Sequence, residues 1–283
     1  MSQAAPVFTE RTPRVAAARQ LTRRSGREKA GRFLVEGAQA VREALAWASA
    51  GRGAVHELFA TESAAARLPA TAPRVSIVTD RAAAGLSETV TPQGIVAVCD
   101  LVDVPLDVAL AGSPRLVAVL AGVADPGNAG TVIRVADAAG ADAVVFAGPT
   151  VDPHNGKCVR ASTGSLFHLP LARATDVDAA LAACRAAGLT LVGADGHAAD
   201  DLAAAAGALA GPTAWVFGSE AHGLSVELAA KLDRSVRVPI YGAAESLNLA
   251  TAAAVCLYAT TWRQRQSSDD SPESEYSPDA AIT

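Results

Sequence analysis

Apolar positions along the chain fall into short runs separated by segments with helical spacing, the pattern of strands alternating with helices. Runs at 32–35, 55–60, 74–78 and 94–99 predict strands, and residues 38–49 (AQAVREALAWAS) predict a helix between the first two. Residues 101–114 have mixed polarity and carry Pro105, Gly112 and Pro114, so they read as a linker. Beyond them the apolar runs lengthen: 115–121 (RLVAVLA), 142–147 (DAVVFA), 189–194 (LTLVGA), 213–218 (TAWVFG) and 234–238. Helices are expected at 129–139, 176–187, 225–231 and 246–264. Continuous apolar strands joined by helices indicate a parallel sheet covered on both faces. The prediction is therefore α/β in two domains, a smaller one over 1–105 and a parallel-sheet domain over 114–265, joined by a linker at 106–113.

Composition adds constraints to this plan. The chain is 50% hydrophobic but only 4% aromatic, so its core must be built mainly from Ala, Val and Leu. No apolar run reaches the roughly 18 residues of a membrane span, and no apolar signal core follows the N-terminal arginines. A soluble, cytoplasmic protein is expected. The cysteines at 99, 158, 184 and 256 and the five histidines are scattered without ligand spacing, which predicts reduced thiols and no metal site. The net charge of −5 hides an asymmetry, because residues 266–283 hold five acids and no base. That Ser- and Pro-rich tail has little to bury and is expected to be disordered. Residues 1–32 carry Arg11, Arg14, Arg19, Arg23, Arg24, Arg27, Lys29 and Arg32 against only Glu10 and Glu28. Such an arm suits a phosphate backbone, although a solvated helix face would look the same.

The candidate chemistry lies at the ends of three strands of the second domain. LAGVADPGNAGTVIR (120–134) turns at Pro126-Gly127, FGSEAHGLS (217–225) is a Gly-flanked loop before a helix that Ser225 can cap, and VPIYGAAESLNLA (238–250) enters the last helix. Ligands bind outside the carboxyl ends of parallel strands, so these loops are expected to converge on one crevice. They offer small residues and few polar side chains: Asn128, Arg134, Glu220, Ser246 and Asn248. That set suits an organic cofactor held largely by main-chain groups. Asn128, Ser246 and Asn248 can also be read as helix caps, and Glu220 as a holder of loop amides. Arg134 has apolar neighbours, Val132, Ile133 and Val135, and should reach a defined partner. His154 and His222 sit in loops without an acid placed to orient them and receive no catalytic role. Neither a dinucleotide fingerprint, a P-loop nor a hydrolase elbow is present.

Together, DPGNAGTVIR, FGSEAHGLS and VPIYGAAESLNLA resemble the three ordered signature motifs of the SpoU/TrmH family of RNA ribose methyltransferases. The segments 152–170 (DPHNGKCVRASTGSLFHLP) and 27–45 (REKAGRFLVEGAQAVREAL) are also similar to that family, the latter to its small ribosomal-protein-like, RNA-binding substrate domain. The resemblance implies a SPOUT catalytic domain with a C-terminal trefoil knot, a homodimer, and S-adenosylmethionine as cofactor. It would place main-chain contacts to that cofactor at Gly218, Val238 and Leu247 with Ile240 nearby, and the catalytic polar set at Asn128, Arg134, Glu220, Ser246 and Asn248. Ala250 departs from the pattern, standing where many relatives have Ser.

The implied reaction is methylation of a ribose 2′-hydroxyl, most readily in ribosomal RNA. The alternatives are a transfer-RNA substrate or an RNA-binding protein of the same fold without activity. No metal is needed, because the leaving group is already activated. Arg134, cast as a base by the resemblance, is physically better suited to stabilise the alkoxide, since a guanidinium keeps its proton up to about pH 12. Asn128, six residues from Arg134, is expected to act from the loop and not from the same helix face.

Overall fold

The computed structural model describes residues 6–68 and 75–269, arranged around two sheets. The smaller sheet comprises β1 (Arg32–Glu36), β2 (Val55–Ala60), β3 (Ser76–Ile77) and β4 (Ile95–Asp100) in the order β1-β4-β2-β3. Three N-terminal strands and the helix at 38–49 match the expected ranges to within a residue or so, whereas the strand expected at 74–78 is shorter. Helices α1 (Pro13–Arg19), α2 (Arg24–Ala30), α3 (Ala38–Ser49), α4 (Glu62–Ala65) and α5 (Asp80–Gly85) surround this sheet. One face, through Leu34, Phe59, Val96 and Val98, packs on Val15, Leu21 and Ala82 of the flanking helical segments.

The larger sheet has eight strands: β5 (Asp103–Val104), β6 (Leu116–Ala121), β7 (Ala143–Ala147), β8 (Leu171–Ala174), β9 (Thr190–Ala194), β10 (Asp200–Asp201), β11 (Thr213–Phe217) and β12 (Arg234–Arg237). Every pairing within it is parallel, in the order β10-β12-β9-β11-β6-β7-β8-β5. The period-two alternation of a strand is visible in β6. Leu116, Ala118 and Leu120 enter one core with Trp215 and Phe217, while Val117, Val119 and Ala121 enter the opposite core. Helices α6 (Leu106–Ala109), α9 (Val177–Ala186) and α10 (Val226–Ala229) border the second core. The first is covered by α7 (Pro126–Ala139), α8 (Gly156–Ser162) and α11 (Leu249–Asp269). It continues without a break into Phe33, Val41, Trp47 and Ala97 of the N-terminal unit, so the two sheets share one apolar interior.

Several expectations are corrected. The stretch read as a linker carries β5, which pairs with β8, and α6, whose Ala109 and Leu110 are buried. Its mixed polarity conceals a single amphipathic turn. Helix α8 and strand β8 are not visible in the hydrophobic pattern, since the run around them mixes charged and apolar residues. The last helix begins at Leu249 and continues through residues 266–269, where disorder is expected from composition. The remainder of the acidic tail, 270–283, lies outside the described residues, as do 69–74. Among the described residues no helix is long and apolar enough to cross a membrane. All four cysteines are buried free thiols, and burial pushes the Cys184 thiol up to about 11.

Candidate active site

The strand order reverses between β11 and β6, whose registers align Phe217 with Leu120. The loops leaving these strands therefore start side by side at a topological switch point, where α/β sheets place their ligands. The third loop must return from β12, three strand positions away from β6, and residues 238–248 cross that interval without forming helix or strand.

One hydrogen-bonded chain ties the three loops together. Asn248 Nδ2 donates to Asn128 Oδ1 at 3.0 Å, and Asn128 Nδ2 donates to Glu220 Oε1 at 3.1 Å. The Glu220 carboxylate also accepts the backbone N–H of Ala124 and of Asp125, each at 3.0 Å. Burial works to raise the Glu220 pKa, but these N–H donors outweigh it and hold the carboxyl below its ordinary value. Glu220 is thus an anion that fixes the start of α7. Asn248 also caps α11, its Oδ1 accepting the N–H groups of Ala250 and Thr251.

Asn128 is not a cap and does not act from the loop. Asp125 occupies the N-cap of α7 and accepts Asn128 N–H at 2.8 Å, with Pro126 at the first helical position. This Asp-Pro order is a strong local helix start and is legible in the sequence. Asn128 lies in the first turn, where its side chain is free to bridge the other two loops. Lys157 of α8 donates to Asp125 Oδ2 at 2.6 Å, and this bond together with Asn128 N–H lowers the Asp125 pKa. Gly130 lets α8 approach α7, since a Cβ there would lie 2.3 Å from the Cys158 carbonyl oxygen.

The remaining residues are placed differently. Arg134 is exposed and donates from Nη1 to Thr163 Oγ1 at 3.4 Å, without joining the Asn248–Asn128–Glu220 chain. Ser246 is exposed in the third loop. Gly218 ends β11 against the tight turn that follows; a Cβ would meet the Gly223 carbonyl oxygen at 2.0 Å. Val238 is half-buried, while Ile240 and Leu247 are 39% and 38% exposed. Uncovered apolar side chains on irregular backbone at the carboxyl ends of the strands fit an organic cofactor read by main-chain groups, in keeping with the sparse polar set of these loops.

One histidine reading changes and the other stands. His154 does have acids beside it: its Nδ1 lies 3.3 Å from Asp152 and its Nε2 lies 3.5 Å from Asp103. It is nevertheless buried and packed edge-on to Phe33, and it makes no bond to the three loops. His222 is exposed and only closes its own loop, its N–H donating to Ser219 Oγ. Arg27 is also reassigned. It is 3% exposed and donates from both Nε and Nη2 to Asp152 Oδ2, so it fastens α2 to the larger unit and is not available to phosphate. Burial opposes ionisation of Asp152, but bonds from His154 and Arg27 hold it well below the usual carboxylate range.

The SpoU rRNA Methylase family model matches residues 115–258, spanning all three loops. The chain belongs to this family. An MRM3-like substrate binding domain model matches residues 12–97. The chain is 35% identical to a 23S rRNA (guanosine(2553)-2'-O)-methyltransferase, RlmP, of Bacillus subtilis, over 85% of this chain and 92% of that protein. Among solved structures it resembles the SpoU methyltransferase AviRb of Streptomyces viridochromogenes in complex with AdoMet. That likeness has a TM-score of 0.76 and 31% identity, covering 91% of this chain and 99% of that one. An AdoMet-bound rRNA methyltransferase of Sinorhizobium meliloti is similar with a TM-score of 0.75 and 30% identity, over 90% and 97% of the two chains.

Proposed function

We propose that this protein methylates the 2′-hydroxyl of a ribose in ribosomal RNA, with S-adenosylmethionine as donor, in the cytoplasm. The observation that carries the reading is the Asn248–Asn128–Glu220 chain, which unites the three family loops at the switch point. Two of the relatives named above, those of Bacillus subtilis and Sinorhizobium meliloti, are ribosomal-RNA methyltransferases, which favours ribosomal over transfer RNA.

S-adenosylmethionine, when bound, supplies a methyl group already activated by its sulfonium. The main chain at Gly218, Val238 and Leu247 would hold it, with Ile240 nearby. Glu220, Asn128 and Asn248 keep the loops in register, and Ser246 contributes a polar contact at the mouth. Arg134 grips the phosphate beside the reacting ribose and favours negative charge on the 2′-oxygen. As the O–C bond forms and the C–S bond breaks, the 2′-hydroxyl proton passes to solvent. The exposed Arg19, Arg23, Lys29 and Arg32 of the N-terminal unit add sequence-independent affinity for RNA.

The same reading includes a trefoil knot in the C-terminal segment and a homodimer. The dimer is supported by an apolar stripe on α11 left facing outward, Val255 and Trp262 at 39% and 63% exposure with Tyr258 between them. Incubation with S-adenosylmethionine and either ribosomal or transfer RNA, followed by nucleoside mass spectrometry, tests the function. A 2′-O-methyl nucleoside is expected from ribosomal RNA alone. Absence of saturable S-adenosylmethionine binding would indicate an inactive RNA-binding protein instead.

A further inference from the structure

We propose that Thr163 is a positioning residue for Arg134, its hydroxyl setting the placement of the guanidinium for methyl transfer; this rests on the role given to Arg134 above. Among the described residues only Ser113 and Thr163 have a positive φ without being glycine, and Thr163 sits at φ 53°, ψ 31°. A β-branched residue is a poor occupant of the left-handed region, because its Cβ crowds the neighbouring carbonyl. Helices that end this way ordinarily use Gly or Asn. The capping bond at the end of α8 runs from the Thr163 backbone N–H to the Arg160 carbonyl at 3.1 Å, so the cap itself asks nothing of the side chain.

The side chain has a different partner. Thr163 Oγ1 accepts from Arg134 Nη1 at 3.4 Å, and lies 3.4 Å and 3.5 Å from the carbonyl oxygens of Arg160 and Ala161. A hydroxyl has one proton and two lone pairs. Its proton goes to one of these carbonyls, which leaves the oxygen fixed as an acceptor toward Arg134. This is the one polar contact that the structure gives Arg134 among the described residues. A neutral acceptor orients the guanidinium without cancelling the charge that a phosphate and a developing alkoxide require, as a carboxylate would.

The strained conformation is enforced from both sides. Helix α8 ends on it, and at the following Gly164 (φ 97°) a Cβ would lie 2.5 Å from Cγ of Glu43 on α3. The N-terminal unit thus packs directly on the turn that holds Arg134. Backbone strain persists only where surrounding structure over-determines it, and such sites cluster at functional groups.

Three variants separate positioning from structure. Thr163→Val keeps the shape and the strain but loses the acceptor, Thr163→Gly loses both, and Thr163→Ser keeps the acceptor. Single-turnover transfer to ribosomal RNA would be measured beside thermal melting and S-adenosylmethionine titration. Val and Gly are expected to slow transfer about tenfold, the scale of a hydrogen bond to a charged group, with cofactor affinity unchanged. Ser should retain most of the rate, and the Gly variant should melt higher than the wild type although it is slow. A purely structural role makes rate follow melting temperature, so a fast Gly variant or a slow Ser variant overturns the proposal. In an Arg134→Lys background, Thr163→Val should cost nothing further; a full additional loss there shows that Thr163 does not act through Arg134. An inactive Arg134→Ala beside a fully active Thr163→Val rejects this inference alone, whereas an active Arg134→Ala rejects the role of Arg134 and this inference with it.

Discussion

At the scale of single residues, charge and hydrogen-bond capacity decide the assignments. Arg134→Ala should abolish methyl transfer while S-adenosylmethionine still binds, because the one polar contact of Arg134 among the described residues is Thr163, and none of the residues assigned to the cofactor bonds to it. Arg134→Lys should keep a small fraction of the rate, since a point charge survives but the planar fork is lost. If the side chain acted as a base, the Lys variant alone would gain rate steeply from pH 7 to 10, as a lysine ammonium titrates near pH 10; single-turnover rates across that range decide between the two roles. Arg27 makes a different prediction. Arg27→Met leaves Asp152 buried without its guanidinium partner, and loss of one member of a buried ion pair costs about 3–5 kcal/mol, measurable by urea denaturation. At this scale the sequence is informative where a residue lies in or just after a segment with a Gly, Pro or cap signal: Asn128, Glu220 and Asn248 do come together. It is uninformative about Arg27, because an arginine in a basic arm and an arginine that crosses to Asp152, 125 residues away, look alike in one dimension.

At the scale of elements, hydrophobic period carries the prediction. The β6, β7, β9 and β11 strands are apolar on both faces, so their runs stand out, and α3 and α7 have clear stripes. The short elements β5, α6, α8 and β8 escape because each has at most three buried residues and depends on tertiary contacts. Two of the unforeseen segments form the contact between the two units: Arg160 of α8 donates to Glu36 of β1 at 3.2 Å, and Arg52 donates to the carbonyl of Phe167, just before β8. His168 joins α7 to α3, facing Asp137 at 2.7 Å and Glu43 at 3.3 Å, with Arg42 and Gln39 on the far side of Glu43. Burial lowers the His168 pKa, but its bonds to Asp137 and Glu43 outweigh this and raise it above 6.5. A raised folded-state pKa means that the contribution is fully present below the unfolded value and fades as pH rises through the folded one. The urea midpoint should therefore fall as pH rises from about 6.5, and His168→Gln should flatten that dependence. An equal slope in the variant would remove His168 from the contact.

At the scale of the whole molecule, the sequence conveys the layout of two α/β units but not their continuity. Helical and strand periods report which face is buried, not against what, so the shared core through Phe33 and Trp47 could not be read from them. The outward stripe on α11 has the same ambiguity until a partner is supplied. Trp262→Asp should convert a dimer into a monomer in sedimentation at micromolar concentration; a wild type that sediments only as a 28.6 kDa species would contradict the assembly. Neutralising Arg19, Arg23 and Arg32 together should weaken RNA binding and flatten its salt dependence, with cofactor affinity unchanged. The central claim, ribose methylation of ribosomal RNA by the three-loop site, is tested most directly by mapping 2′-O-methyl positions in RNA from cells with and without the gene. A ribosomal-RNA mark should disappear with the gene and return with the wild-type protein but not with Arg134→Ala. Ribosomal RNA with identical marks in both cells, or a lost mark found in transfer RNA, would contradict it.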